Sequence, residues 1–141
     1  MSRLLAATLL AAIAIAQPPG TVTLTVRVDR FPHAKGKAGI AVWKGPRSFP
    51  EGIEHAVATT YVPIEGATAT ARFEGLSPGS YAVTVFHDQN DNRRFDKNWV
   101  GVPREPWGVS NNVRPKLRPP TFEEARVDLE AGERDVRISV R

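Results

Sequence analysis

Alternating apolar residues in segment after segment, turn signals between those segments at short intervals, and no convincing 3.6-residue periodicity beyond residue 17 predict an all-β protein. The fold class is a single antiparallel β-sandwich of about seven strands, immunoglobulin-like or prealbumin-like, with one long ordered loop.

The chain opens with Arg3 and an apolar run over 4–15, in which Ala14 and Ala16 bracket Ile15 in an A-x-A arrangement. That is the pattern of a secretory signal peptide cleaved near Ala16. The apolar run, about 12 residues, is shorter than the ~20 a membrane helix needs, so no membrane span is expected. Residues 1–16 are read as signal peptide and 17–141 as one β-sandwich domain, periplasmic or secreted. The absence of cysteine excludes disulfides, thiolate catalysis, lipid modification at cysteine and Cys-based zinc sites. Without Arg3 the balance is 18 basic against 15 acidic residues. Basic residues scatter, apart from Arg114, Lys116 and Arg118, which alternate and would share one side of an extended segment. Nucleic-acid binding needs a stripe of phosphate contacts and is not expected.

Residues 21–28 alternate Thr or Arg with Val and Leu, placing Val22, Leu24, Val26 and Val28 on one core-facing side. A polar turn over 29–37 leads to a strand at 39–43, and Gly45, Pro46, Pro50 and Gly52 mark 44–54 as loop. Strands at 56–64 and 67–73, joined by Glu65-Gly66, read as a hairpin. Pro78-Gly79 turns the chain into a strand at 81–86. A strand at 122–129, a turn at 131–133 and a last strand carrying Val136, Ile138 and Val140 complete the series.

Between 86 and 122 lies a connection of about 35 residues, where structureless loops beyond roughly 12–15 are uncommon. Asp88, Asn90, Asn92 and Asp96 fall at positions 1, 3, 5 and 9 of a calcium-type loop, with the Arg94 carbonyl at position 7. Position 6 is Arg93 instead of Gly and position 12 is Trp99 instead of Glu, so an ordinary EF-hand is excluded. Glu105, stiffened by Pro103 and Pro106, is the residue placed to fold back as the missing carboxylate. The near-neutral charge of this window limits the expectation to weak Ca²⁺ binding, with no other cofactor. The alternative is an Asx-turn cluster bonded to its own backbone.

No catalytic residue is assigned. His87, Asp88 and Ser110 do not form a recognisable triad, because neighbours on a strand point to opposite faces and no G-x-S-x-G elbow occurs. His33, His55 and His87 lack zinc-ligand spacing. His87 reads as a partly buried imidazole orienting loop backbone. Trp99 and Trp107 would either stack on sugar rings or cap the sandwich as local core. The chain lacks both the Tyr-Arg-Gly-Ser tail of prealbumin-like hydroxyisourate hydrolases and an Asn at 133–141 for a pilin-type isopeptide crosslink.

Gly79-x-Tyr81-Ala-Val, His87-Asp88-x-Asn90-x-Asn92-x-x-x-Asp96 and Gly101-x-Pro103-x-Glu105-x-x-Gly108-x-Ser110-Asn111 together resemble an exported bacterial domain family of unknown function with an HDxNxNxxxD…GxPxExxGxSN signature. The resemblance runs from the Leu24 strand to the C-terminal one. The family commonly has Gly where this chain has Arg93. It implies a secreted or periplasmic β-sandwich and no established activity. The resulting expectation is a non-enzymatic binding or interaction module whose 87–112 loop meets an envelope or extracellular ligand. The alternatives are an envelope-polymer hydrolase using His87 with Asp88 or Glu105, and a carbohydrate-binding module using Trp99 and Trp107.

Overall fold

A computed structural model describes residues 20–141, so the signal peptide read at 1–16 lies outside the described residues. In chain order the elements are β1 (Val22–Asp29), β2 (Lys37–Trp43), β3 (Ala58–Pro63), β4 (Ala69–Leu76), β5 (Gly79–Asp88), β6 (Trp107–Val109), α1 (Phe122–Ala125), β7 (Val127–Leu129) and β8 (Gly132–Ser139), with single 3-10 turns at Ile53–His55 and Ser110–Asn112. The protein is mostly β, in two open sheets. The smaller has the order β4-β1-β8 and the larger β3-β2-β5-β6, with β7 pairing the start of β5.

The alternation in β1 has the consequence its pattern dictates. Val22, Leu24, Val26 and Val28 are buried, and they join Ala69, Ala71 and Phe73 of β4, Val136 and Ile138 of β8, Ile40 and Val42 of β2, and Val83 and Val85 of β5 in one cluster between the sheets. A second cluster lies on the outer face of the larger sheet, where Ala41, Trp43, Ala82 and Val109 meet Phe122 and Ala125 of α1. β2 and β5 are thus covered on both faces, which is why their sequences run almost continuously apolar instead of alternating.

Four expectations are corrected. β3 and β4 do not form a hairpin: β3 lies in the larger sheet and β4 in the smaller, and the Glu65–Thr68 bridge turns the chain from one sheet to the other. Residues 122–129 do not form one strand, because Thr121 caps a short helix with a complete capping box to Glu124 before β7 begins. The connection after β5 is interrupted by β6 and the turn after it. Finally, pairing is not wholly antiparallel: β1 and β8 run parallel, in register from Val22–Gly132 to Asp29–Ser139.

Candidate functional site

The Asx loop begins where β5 ends. Gly36, at φ +73°, lets the chain pass directly beneath Asp88; a Cβ there would stand 1.9 Å from the Asp88 carbonyl oxygen. The Asp88 carboxylate is fully buried and accepts the Asn92 N–H at 3.1 Å and the Arg93 N–H at 2.8 Å. Arg93 holds φ +60°, so the left-handed conformation that calcium loops assign to glycine is kept here with an arginine. Its carbonyl accepts the Tyr61 hydroxyl at 3.2 Å, and its guanidinium lies over the Tyr61 ring, 5.1 Å from the centroid. Burial, and then the Asp88 charge, push the Tyr61 phenol up, against the opposing effect of Arg93.

Asn90 and Asn92 both turn their amides onto Asp96, at 2.8 Å and at 3.0 and 3.1 Å, and these donors hold its carboxyl below the usual carboxylate range. Glu105 is buried and spans the loop's neck: one oxygen accepts the Gln89 N–H and the other the Asp96 N–H, each at 2.8 Å. Burial raises its pKa while the two N–H groups oppose that rise. The oxygens of Asp88, Asn90, Asn92, Asp96 and Glu105 are therefore gathered in one loop, with Glu105 acting as its clasp. Asn90, Asn92 and Asp96 converge on one another, and an amide flip of either asparagine would present oxygen to a hard cation at the cost of its present bond. Among the described residues, no group of three or more His, Cys, Asp or Glu side chains forms a metal cluster. Arg94 contributes its N–H to Asn92 Oδ1 at 2.9 Å and extends an exposed side chain.

The remaining singled-out residues separate. His87 is fully buried; its Nε2 donates to the Lys35 carbonyl at 2.6 Å, while Nδ1 has no partner. A carbonyl only accepts, so the neutral Nε2–H form is the one that fits. Burial first, then the nearby His33, lowers its pKa against the effects of the Lys35 carbonyl and Asp88. The His33 ring packs against it at a 55° tilt with centroids 4.6 Å apart, whereas His55 lies in the 3-10 turn after Gly52. Ser110 is fully buried, accepting the Val83 N–H at 3.0 Å and donating to the Ala125 carbonyl, so its hydroxyl is committed to holding α1 against β5. The Asn111 amide donates to the carbonyls of Glu124 and Arg126 at the end of α1. Trp99 is 94% exposed and caps nothing.

Trp107 is half-buried and lines a groove of about 1260 Å³ across the outer face of the larger sheet. Ile53, Phe86, Phe95 and Trp107 form apolar walls. Around them stand Arg93, Arg94, Lys97, Arg114, Lys116, Arg118 and Arg141, seven cations against the carboxylates of Glu51 and Glu105. Glu51 is paired with Lys97, Glu105 is bonded to backbone, and Arg118 pairs with Glu124. The Arg114 guanidinium sits 3.9 Å from the Trp107 ring centroid and donates to the Trp107 and Arg141 carbonyls; burial lowers its pKa. The groove escapes sequence reading because its walls come from strand residues of β5 and β6 together with three separate loops. Its one visible trace is the alternation of Arg114, Lys116 and Arg118.

Two open sheets packed about a common core, with a broad groove on the outside of the larger sheet, define a small two-layer β domain. The chain belongs to the bacterial family described as "Uncharacterized protein conserved in bacteria" (DUF2141), which it matches over residues 26–137. No curated protein and no solved structure matches it.

Proposed function

We propose that this chain is an exported, non-enzymatic binding module of prealbumin-like topology that holds an extended acidic polysaccharide of the cell envelope or its surroundings in the outer groove. The observation that carries the reading is the groove's make-up: apolar walls with seven cations against two carboxylates already occupied within the protein. At about 1260 Å³ it exceeds the roughly 300–1,000 Å³ of small-molecule pockets, which suits a chain-like ligand. A prealbumin-like type is supported because β1 and β2 lie in different sheets, whereas immunoglobulin constant domains place their first two strands in one. Export is supported by the apolar 4–15 segment with its A-x-A end and by the absence of cysteine. A non-catalytic role is supported by His87, Asp88, Glu105 and Ser110 being buried in structural hydrogen bonds.

The test is calorimetric titration of residues 17–141 with polygalacturonate and with neutral dextran. Polygalacturonate should bind, more weakly as salt rises, and Arg94→Ala/Lys116→Ala should weaken it by about tenfold, one tenfold step being 1.4 kcal/mol. Equal binding of dextran, or binding of neither polymer, would overturn the reading.

The convergence of Asn90 and Asn92 on Asp96 favours a second element of this function, a loop stiffened by weakly held Ca²⁺. With a Kd near 10⁻³ M, about 5 mM Ca²⁺ should stabilise the domain by about 1 kcal/mol relative to chelator, and Asp96→Ala should remove that rise. Identical melts would leave the loop a self-sufficient hydrogen-bonded turn.

A further inference from the structure

We infer that two loop tips beside the groove anchor the domain to an anionic lipid surface. The first tip is Trp99, Val100 and Val102, which are 94%, 58% and 54% exposed; the second is Leu117, 99% exposed. Both loops border the groove, through Gly101 and Val102 on one side and Lys116 to Arg118 on the other. The first tip is not a slack loop. A Lys97–Pro103 bridge closes it, the Asn98 N–H donates to the Val102 carbonyl at 2.8 Å, and Asn98 Oδ1 accepts the N–H groups of Val100 and Val102 at 3.1 and 2.9 Å. Its shape is therefore set by internal polar bonds, which leave the apolar side chains pointing out and reduce the number of backbone groups that would lose water on entering a low-dielectric layer. The second tip is flanked by Pro115 and Pro119, which restrict its backbone.

The charge around the tips selects the occupant. Arg94 and Arg104 flank the first tip in sequence, and Lys116 and Arg118 bracket Leu117. Among these, Arg94 and Lys116 make no ion pair with any described residue. An apolar tip between cations fits the boundary of an anionic bilayer, where Trp and Leu enter the acyl edge and Lys and Arg meet the headgroups. Three of the apolar side chains stand on one loop and the fourth on another, among charged residues, whereas a stable protein interface covers a face of about 800 Å² on each partner. Side chains that insert singly into lipid need no such face. The tips share Val102 and Leu117 with the groove lining, whereas Trp99 and Val100 lie outside it, so lipid contact through these two does not depend on what the groove holds.

The experiment uses residues 17–141, which contain every described strand and both apolar clusters, with vesicles of phosphatidylcholine containing about 30 mol% phosphatidylglycerol and with phosphatidylcholine alone. The domain should co-sediment with the anionic vesicles and its tryptophan emission should shift to the blue. Trp99→Phe should bind while losing the shift, and Trp99→Ser/Val100→Ser should lower partitioning at least about tenfold. That double variant should melt with the wild type, since both side chains are exposed, and should bind polygalacturonate as before, since neither residue lines the groove, which separates this inference from the groove reading. Absence of partitioning onto anionic vesicles would overturn it, as would equal partitioning of the double variant. So would concentration-dependent self-association that the double variant abolishes, because the tips would then serve a second copy of the chain.

Discussion

Glu105 shows how one side chain organises this loop from a distance. Its two oxygens take two backbone N–H groups that would otherwise face each other across the neck of the 89–96 segment without acceptors. Glu105→Ala leaves both unsatisfied and is expected to cost about 1–3 kcal/mol in urea denaturation at neutral pH; Glu105→Gln, which keeps one acceptor, should cost less. His87 makes the opposite kind of statement. Its folded pKa lies below the ordinary 6.5, so between the two values the unfolded chain binds more protons. Stability from this group is complete above 6.5 and is lost as pH falls through the folded pKa. His87→Gln should flatten that acid limb while preserving one polar contact, and an unchanged slope in the variant would assign the limb to other groups. The short-range part of this chemistry was legible: Asp88, Asn90, Asn92 and Asp96 announce themselves by spacing alone. For His87 partial burial could be read from the sequence; its complete enclosure was not legible, because that comes from Phe31, His33 and Lys35, some 50 residues earlier in the chain.

At the level of elements, strands were legible wherever one face is buried and the other wet, as in β1 and β4, since the pleat then writes itself as alternation. Alternation does not say which sheet a strand joins. That is why 56–73 reads as a hairpin when its halves lie in different sheets. The four-residue α1 is too short to display a helical period, yet Thr121 with Glu124 three residues on was a usable signal. Thr121→Ala should remove the cap and cost about 0.5–2 kcal/mol. Because Phe122 and Ala125 cover Trp43 and Val109, the loss should also loosen the outer cluster, visible as faster hydrogen exchange at Val109. Unchanged exchange there would mean that packing, not the cap, holds α1 in place.

For the molecule as a whole, β1 is the strand on which both layers depend. It is the middle of the smaller sheet and supplies four buried side chains to the common core. Leu24→Ala should therefore cost about 2–5 kcal/mol, at the cost typical of a large buried side chain, and the transition should remain a single one by circular dichroism and tryptophan fluorescence alike. Separate transitions would show the two sheets unfolding independently. The two-layer plan was readable from strand number and turn density. The groove was not, because no local pattern records that residues near 51, 95 and 116 share one side of the molecule.

The parallel pairing of β1 with β8 has a mechanical consequence. The chain enters the smaller sheet at Val22, beside Gly132, and leaves it at Ser139, beside Asp29. The two ends of the pair therefore exit at opposite poles, about 25 Å apart at 3.3 Å per residue. A pull applied through the two ends loads this ladder lengthwise, so its hydrogen bonds share the force together instead of opening one after another. Pulled by its two ends, the domain should resist as a clamp in shear, and its rupture force should greatly exceed that found when the same fold is pulled across the ladder.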